Sequence, residues 1–183
     1  MSVVTKRGDE GQTDLMYGRR VTKYNPQVET YGIIDELNAL LGLVRCEPLA
    51  DEVDSAVQLI QKDLISAMGE LATAKEDQTR YTQDGYGRIQ IEQLGWLEKE
   101  VKRLESEGEI RFKGWAIPGA NSGRASALLD HARTVGRRAE RALWKLTKEE
   151  GFPISKSLLL YFNRLSDFCW VAARFETLRL EKP

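Results

Sequence analysis

Four arginines lie within nine residues in the second half of the chain, at positions 133, 137, 138 and 141. At about 100° per residue on a helix, Arg133, Arg137 and Arg141 fall within roughly 80° of arc, and Arg138 widens the arc to about 140°. The guanidinium group is a planar fork of donors that suits phosphate oxygens. Glu140 is the acidic residue in their midst. We call these four side chains the arginine comb. They predict an anion site on one helix face, with a solvated charged face as the alternative.

Few other residues could do chemistry. The chain has one histidine, His131, and two distant cysteines, Cys46 and Cys169, each in an apolar helical context. Most His/Cys metal sites are therefore excluded, a Cys–His dyad is disfavoured, and no protein-built metal site is expected. The cysteines are expected to be buried thiols in a reducing compartment. An enzyme built this way would position reactants and stabilise charge.

The N-terminal 25 residues lack a helical period but contain groups that can approach a ligand. Glycines allow close backbone approach, and threonine and lysine supply donors. No Walker A pattern occurs. We expect a loop over a ligand, or alternatively a flexible arm. The relevant residues are Thr5, Lys6, Gly8, Asp9, Gly11, Thr13, Gly18 and Lys23.

Helices must position these groups. A chain of 183 residues with 42% hydrophobic and 30% charged residues suits one globular domain. Asn25-Pro26 predicts the start of the first helix. Asp51 is expected to cap the second, residues 76–89 to form a loop, and Gly108 to close the third. The predicted class is all-α, an up-and-down five-helix bundle.

The last two helices carry the polar residues of interest. The fourth is expected to be capped by Asn121 or Ser122, to carry the comb, and to stop at 151–153. The fifth begins near Ser155 and is apolar almost all round. Asn163, Arg164 and Asp167 interrupt it along one face. Arg164 can pair with Asp167, whereas Asn163 needs another explanation.

Charge and hydropathy limit the location and partners. The net charge is −1 and the sequence pI is about 6.0, which argues against a nucleic-acid partner. The N-terminus has no apolar signal region, and no stretch is long enough to span a bilayer. We therefore expect a cytoplasmic protein without a membrane or nucleic-acid partner.

Four stretches in this order resemble the PduO-type ATP:cob(I)alamin adenosyltransferases over nearly the whole chain. They are Thr5–Thr13, Gly32–Asn38, Ala132–Arg141 and Tyr161–Asp167. The resemblance implies one domain over residues 1–183, with an ATP-covering loop at 1–25 and a helical bundle at 26–178. It also implies a homotrimer with active sites between subunits.

The implied reaction transfers the 5′-deoxyadenosyl group of ATP to cob(I)alamin or another reduced corrinoid and releases triphosphate. Cobalt(I) is the nucleophile, so no catalytic Ser, Cys or His is required. Arginines and Mg²⁺ would neutralise the leaving triphosphate. The resemblance further implies a flavin reductase as a partner and an adenosylcobalamin-dependent enzyme that accepts the product.

The family's roles map onto individual residues here. The ATP contacts implied by the resemblance are Thr5, Lys6, Gly8, Asp9, Gly11, Thr13, Lys23, Arg137, Arg138, Glu140, Arg141 and Asn163. Asp35 and Arg133 resemble a pair that links adjacent subunits beside the corrinoid. Trp115 matches the aromatic wedge that removes the lower axial ligand of cobalt.

The sequence departs from the family pattern at three positions. Trp115 and Ala120 stand where Phe-x-x-Pro-Gly-Gly has its phenylalanine and second glycine, and Arg7 replaces a more usual threonine. A non-catalytic corrinoid carrier or sensor is therefore one alternative function. A helical module that binds nucleic acid or a protein partner through the arginine face is another.

Overall fold

A computed structural model describes residues 4, 6–112, 114, 116–120 and 123–181. Within these ranges the fold is mostly helical, as predicted. The helices are Pro26–Val44 (α1), Asp51–Leu71 (α2), Gln78–Gln83 (α3), Ile91–Glu107 (α4), Arg124–Glu149 (α5) and Lys156–Glu181 (α6). Five of these described helices are long, and α3 has six residues.

Local signals set the helix starts and ends. The side chain of Asn25 accepts a hydrogen bond from the Gln27 amide at 2.8 Å, and Pro26 occupies the first turn of α1, as predicted. Gln90 and Gln93 form a reciprocal capping box at the start of α4. Gly108 ends that helix as predicted.

The core lies between helices that are consecutive in sequence and helices that are distant in it. α6 packs between α4 and α5, and α1 packs between α5 and α2. The α1 residues Ile34, Leu37 and Leu41 are fully buried, as the apolar stripe of that helix requires. The Tyr161 hydroxyl donates to Asp63 at 2.8 Å and thereby ties α6 to α2. α6 therefore contacts other helices on several sides, as its nearly all-round apolar sequence predicted.

Three boundary predictions were wrong. α2 begins at Asp51 with Ala50 at the N-cap position, and the Ala50 amide donates to Glu176 of α6 at 2.9 Å. The segment 76–89, expected to be a loop, contains α3. Gly123 occupies the N-cap of α5, while the predicted caps Asn121 and Ser122 lie outside the described residues. The cap of α2 comes from a distant helix, so local spacing could not reveal it.

The N-terminal segment contains a hairpin that the sequence analysis missed. Strands Gln12–Asp14 (β1) and Arg20–Thr22 (β2) pair antiparallel, with Thr13 opposite Val21. The Met16 amide donates to the Ala72 carbonyl at 2.8 Å and holds the hairpin tip against the end of α2. Strands of three residues are too short to show alternation.

The cysteines differ in environment. Cys169 is buried in α6 as predicted, and burial raises the pKa of its thiol to about 12. Cys46 is exposed, so the prediction of two buried thiols was wrong. It follows Arg45, the C-cap of α1, where the chain turns out of the core. Among the described helices, none is long and apolar enough to cross a membrane.

Candidate functional site

The arginine comb lies on the outer face of α5. Arg137, Arg138 and Arg141 are exposed, while Ala132 and Ala139 behind them are fully buried. The predicted division of this helix into an apolar back and a cationic front is therefore confirmed. An amphipathic helix of this kind displays its cations because its apolar stripe faces the core.

The comb arginines differ in their partners. Arg138 forms an ion pair with Glu36 of α1. Arg133 forms one with Asp130, with 3.6 Å between Nε and Oδ1. The expectation that Glu140 alone lies nearby was thus wrong, because helix packing brings Glu36 to the comb. Arg137 and Arg141 make no hydrogen bond or ion pair with any described residue, so two guanidinium groups remain available for an anion.

The polar face of α6 meets the comb through Asn163. Its Nδ2 donates to Glu140 Oε1 at 3.0 Å, and its Oδ1 accepts from Arg164 Nη1 at 2.5 Å. Arg164 also donates to Glu98 of α4 at 3.0 Å, in addition to its expected pairing with Asp167 at 3.6 Å. Two predicted ATP contacts, Glu140 and Asn163, are therefore brought together.

Asp167 lies within the electrostatic range of the same cluster. Partial burial raises its pKa, the charge of Glu140 adds to that rise, and Arg164 and Arg137 oppose it. A bound anion would add a further negative charge here. Arg137, Glu140 and Asp167 thus form one electrostatic unit on adjacent helices.

In the N-terminal arm, residues 6–25, Gly8 and Lys23 lie against each other. A Cβ added at Gly8 would stand 3.1 Å from Lys23 Nζ, which is closer than ordinary contact. The Lys23 amide donates to the Gly11 carbonyl at 2.9 Å, and Gly11 adopts a φ of 76°. The absence of a side chain at position 8 therefore lets the Lys23 ammonium rest on the backbone of the loop.

The other predicted arm residues are close in sequence to this contact. Lys6 is exposed, and its carbonyl accepts from the Asp9 amide at 3.3 Å. Thr13 is partly buried in β1. Thr5 lies outside the described residues. Among those that are described, no hydrogen bond or ion pair joins the arm to the comb.

The unusual Arg7 has a partner within the arm. Its Nη2 lies 3.0 Å from Asp14 Oδ2, and its carbonyl accepts from Arg20 Nη2 at 2.8 Å. Arg20 also pairs with Asp14 at 3.3 Å. Arg7 therefore joins a small network that holds the loop onto the hairpin.

Asp35 is exposed on α1 and pairs with no described residue of its own chain. The nearby ion pair of Arg133 is with Asp130. The predicted Asp35–Arg133 pair does not form within one chain, as expected if it joins two subunits. That role stays a prediction.

The loop before α5 is described in part. Trp115, the predicted wedge, lies outside the described residues. The Ala120 amide donates to the Ile117 carbonyl at 3.1 Å, and Gly119 has a φ of 80°. Ala120 is not among the residues with positive φ, so alanine in place of the second glycine causes no backbone strain.

Sequence reasoning missed an aromatic residue on the comb's face. Trp144 is 43% exposed and follows Arg141 by three residues, which places it on the same side of α5. Lys148 Nζ lies 5.8 Å from the centre of its ring. A helical projection of α5 that continued beyond residue 141 would have placed Trp144 and Lys148 on this face. The cationic face therefore continues past the comb and includes an apolar surface.

Comparison with known proteins agrees with this geometry. The cobalamin adenosyltransferase family matches residues 3–176. The corrinoid adenosyltransferase of Bacillus subtilis is 35% identical over 183 residues, which cover 98% of this chain and 88% of that protein. Corrinoid adenosyltransferase PduO of Salmonella typhimurium is 36% identical over 179 residues, 96% of this chain and 50% of that protein. The chain thus spans about half the length of the PduO relative.

Solved structures show the same fold. A variant of the PduO-type ATP:corrinoid adenosyltransferase from Lactobacillus reuteri, complexed with cobalamin and ATP, matches with a TM-score of 0.86 and 29% identity. The match covers 100% of this chain and 97% of that one. Another variant of that enzyme, complexed with ATP, has a TM-score of 0.82 and 28% identity, covering 99% and 97%.

Proposed function

The chain belongs to the cobalamin adenosyltransferase family, and we propose that it transfers the 5′-deoxyadenosyl group of ATP to the cobalt of a reduced corrinoid. The observation that carries the proposal is the state of Arg137 and Arg141. Both are exposed beside the Glu140–Asn163 hydrogen bond, and neither has a carboxylate partner in the described chain. Such a pair of cations suits a polyphosphate.

The reaction requires little from protein nucleophiles or bases. The cobalt(I) electron pair forms the bond to C5′ of the ribose while the C5′–O bond breaks. Triphosphate leaves with the electron pair of the broken C5′–O bond. Negative charge grows on the leaving oxygen, so fixed cations stabilise the transition state. Arg137, Arg138 and Arg141 would supply that stabilisation, and Asn163 would hold Glu140 in place.

Mg²⁺ belongs to the proposal as the usual counter-ion of ATP. No group of three or more acidic, histidine or cysteine side chains suited to a metal occurs among the described residues. This fits Mg²⁺ that is held largely by phosphate oxygens and water, with one or two carboxylates. Glu140 is the carboxylate placed among the arginines and would be the protein ligand.

We also propose that the protein is a homotrimer of up-and-down five-helix bundles with the active sites between subunits. Two observations support it. No hydrogen bond or ion pair joins the described part of the arm to its own comb, which fits an arm that covers the comb of a neighbour. Asp35 is exposed and forms no ion pair with the described residues of its own chain, and Arg133 is partly buried on α5. In the proposed assembly Lys6, Gly8 and Lys23 would reach the phosphates across the interface.

The corrinoid would lie beside the loop that contains Trp115, which we assign as the wedge on the lower face of cobalt. The ordinary backbone of Ala120 supports this, because the substitution leaves the loop's turn intact. A flavin reductase would supply cobalt(I), and an adenosylcobalamin-dependent enzyme would take the product. We place the reaction in the cytoplasm, since two unpaired cysteines suit a reducing compartment.

The direct experiment incubates the purified protein with ATP, Mg²⁺ and chemically reduced cobalamin under anaerobic conditions. We expect the absorption spectrum to change to that of adenosylcobalamin, with one triphosphate released per product. Sedimentation of the same sample should give the mass of a trimer. Cobalamin binding without triphosphate release would contradict the transferase and favour the carrier alternative.

A further inference from the structure

Asp130 is a buried carboxylate shared by two arginines. Its side chain is 4% exposed, on α5. Oδ2 accepts from Nη2 of Arg174 on α6, and Oδ1 lies 3.6 Å from Nε of Arg133. One negative charge thus faces two positive charges at the packed interface of α5 and α6.

The two arginines hold this carboxylate differently. Arg174 makes a hydrogen bond to it, whereas Nε of Arg133 is buried and makes no hydrogen bond with any described residue. The 3.6 Å between Arg133 Nε and Asp130 Oδ1 is within ion-pair range but too long for a hydrogen bond. Arg133 is therefore attracted towards Asp130 at its inner end, without being fully neutralised.

Arg174 is itself fixed by aromatic residues. Its guanidinium carbon lies 5.5 Å from the centre of the Trp170 ring. The Trp170 ring lies 6.0 Å from the ring of Phe112, at the start of the loop that leads to Trp115. The Arg174 side chain, which donates the hydrogen bond to Asp130, thus has a defined position.

We propose that Asp130 is a positioning residue for Arg133: Arg174 fixes the carboxylate by a hydrogen bond, and the carboxylate attracts the inner end of the Arg133 guanidinium. This inference rests on the proposed function, in which Arg133 acts at the subunit interface beside the corrinoid. Arg133 is 23% exposed, so part of the side chain reaches the surface while its Nε stays anchored. Neither Asp130 nor Arg174 needs to touch a substrate.

The test measures kcat, and KM for ATP and for reduced cobalamin, in Asp130→Asn and Asp130→Glu, each alone and with Arg133→Ala. A displaced guanidinium should lower kcat by about tenfold to 100-fold in the single variants, since misplacement of about 1 Å can cost that much. In the Arg133→Ala background the same substitutions should change kcat by less than about twofold, because coupled residues are not additive.

Asp130→Asn leaves two guanidinium groups without their counter-charge and can unfold the chain. Asp130→Glu keeps the charge and decides the question in that case. Asp54→Asn is the matched control, because it removes the carboxylate that pairs with Arg45 at 2.8 Å on another helix. The control should retain its activity, and thermal unfolding should confirm that each variant is folded.

Equal losses with and without Arg133 would overturn the positioning role, since a purely structural carboxylate acts in both backgrounds. Unchanged kcat in a folded Asp130→Glu would overturn it as well. If the wild-type protein formed no adenosylated corrinoid, the proposed function itself would fail, which is a separate outcome. If the wild-type protein is active and the effects of the Asp130 and Arg133 substitutions simply add, only the inference about Asp130 is contradicted.

Discussion

Arginines on α4 and α5 reach the helix surface but have opposite surroundings. Arg103 on α4 lies between two glutamates, with 2.5 Å to Glu100 and 2.7 Å to Glu107. The hydrogen bond to Glu100 raises the pKa of Arg103. Arg137 and Arg141 on α5 have no such pair among the described residues. Arg103 is thus paired with carboxylates, whereas Arg137 and Arg141 have no ion-pair partner among the described residues.

Spacing along the helix explains the difference. Side chains three or four residues apart are neighbours, and Arg103 has glutamates at both distances. Arg137 has Arg133 and Arg141 four residues away. Of its acidic neighbours, Glu140 bonds to Asn163 and Asp167 pairs with Arg164. A helix arginine that lies among like charges without an acidic partner therefore indicates an anion-binding site better than the number of arginines does.

The largest effect should come from removing one unpaired arginine. Arg137→Ala should lower kcat by about 100-fold or more, because one donor to a developing negative charge is worth that much in other enzymes. The measurement is adenosylcobalamin formation from ATP and reduced cobalamin. Arg103→Ala is the matched control and should keep its activity. Similar turnover in both variants would remove the distinction between the two helices.

Binding of inorganic triphosphate should distinguish the arginines of α5 from that of α4 without requiring the transfer reaction. At 100 times its dissociation constant a ligand stabilises the native state by about 2.7 kcal/mol. For a chain of this size that corresponds to roughly 5 °C or more in Tm. Differential scanning fluorimetry should show the shift in wild type and Arg103→Ala and a smaller one in Arg141→Ala. A full shift in Arg141→Ala would mean that triphosphate binds elsewhere.

An acidic residue placed on α5 should make that helix resemble α4. Trp144→Glu puts a carboxylate three residues after Arg141, where it can pair with the guanidinium. We expect kcat/KM for ATP to fall by about tenfold as the new carboxylate repels the triphosphate. Trp144→Gln removes the ring without adding charge and should have the weaker effect. Equal losses in both variants would assign the effect to the ring.

The smallest effect concerns stability on α2, away from both arginine surfaces. Burial raises the pKa of Asp63, although the Tyr161 hydroxyl opposes the shift. The folded protein then binds a proton more tightly than the unfolded chain, so the free energy of unfolding falls as pH rises from about 4 through the folded pKa. Asp63→Asn keeps an acceptor for Tyr161 and should flatten this dependence.

Urea unfolding at a series of pH values measures that slope. Tyr161→Phe provides the comparison, because it keeps the Asp63 carboxylate and removes the hydrogen bond that favours its charged form. The slope should therefore persist in Tyr161→Phe and diminish in Asp63→Asn. An unchanged slope in Asp63→Asn would assign the pH dependence to other carboxylates.

Much of the fold was predictable because its signals are local. The Asn25-Pro26 start, the Gly108 end and the buried stripe of α1 follow from neighbouring residues. The hairpin and α3 were missed because three-residue strands and a six-residue helix contain too little periodicity to detect. Cys46 was misplaced because its apolar context ends just where α1 does.

Within the site, the exposure of Arg137, Arg138 and Arg141 was also predictable, because helical periodicity alone separates the two faces of α5. Their partners were not. Glu36 is 102 residues from Arg138, and Asn163 is 23 residues from Glu140. Such contacts depend on which helices pack together and in what register.

The sequence by itself therefore determined the five long helices, the outward comb and the family, since periodicity, caps and motifs are properties of short stretches. Only the tertiary structure decided which cations are neutralised. Asp130 is shared with a second cation because α6 brings Arg174 to it, and Arg138 is paired because α1 brings Glu36. An ion pair forms only when the two charged groups lie within a few ångströms of each other. Only helix packing brings charges from distant parts of the chain that close.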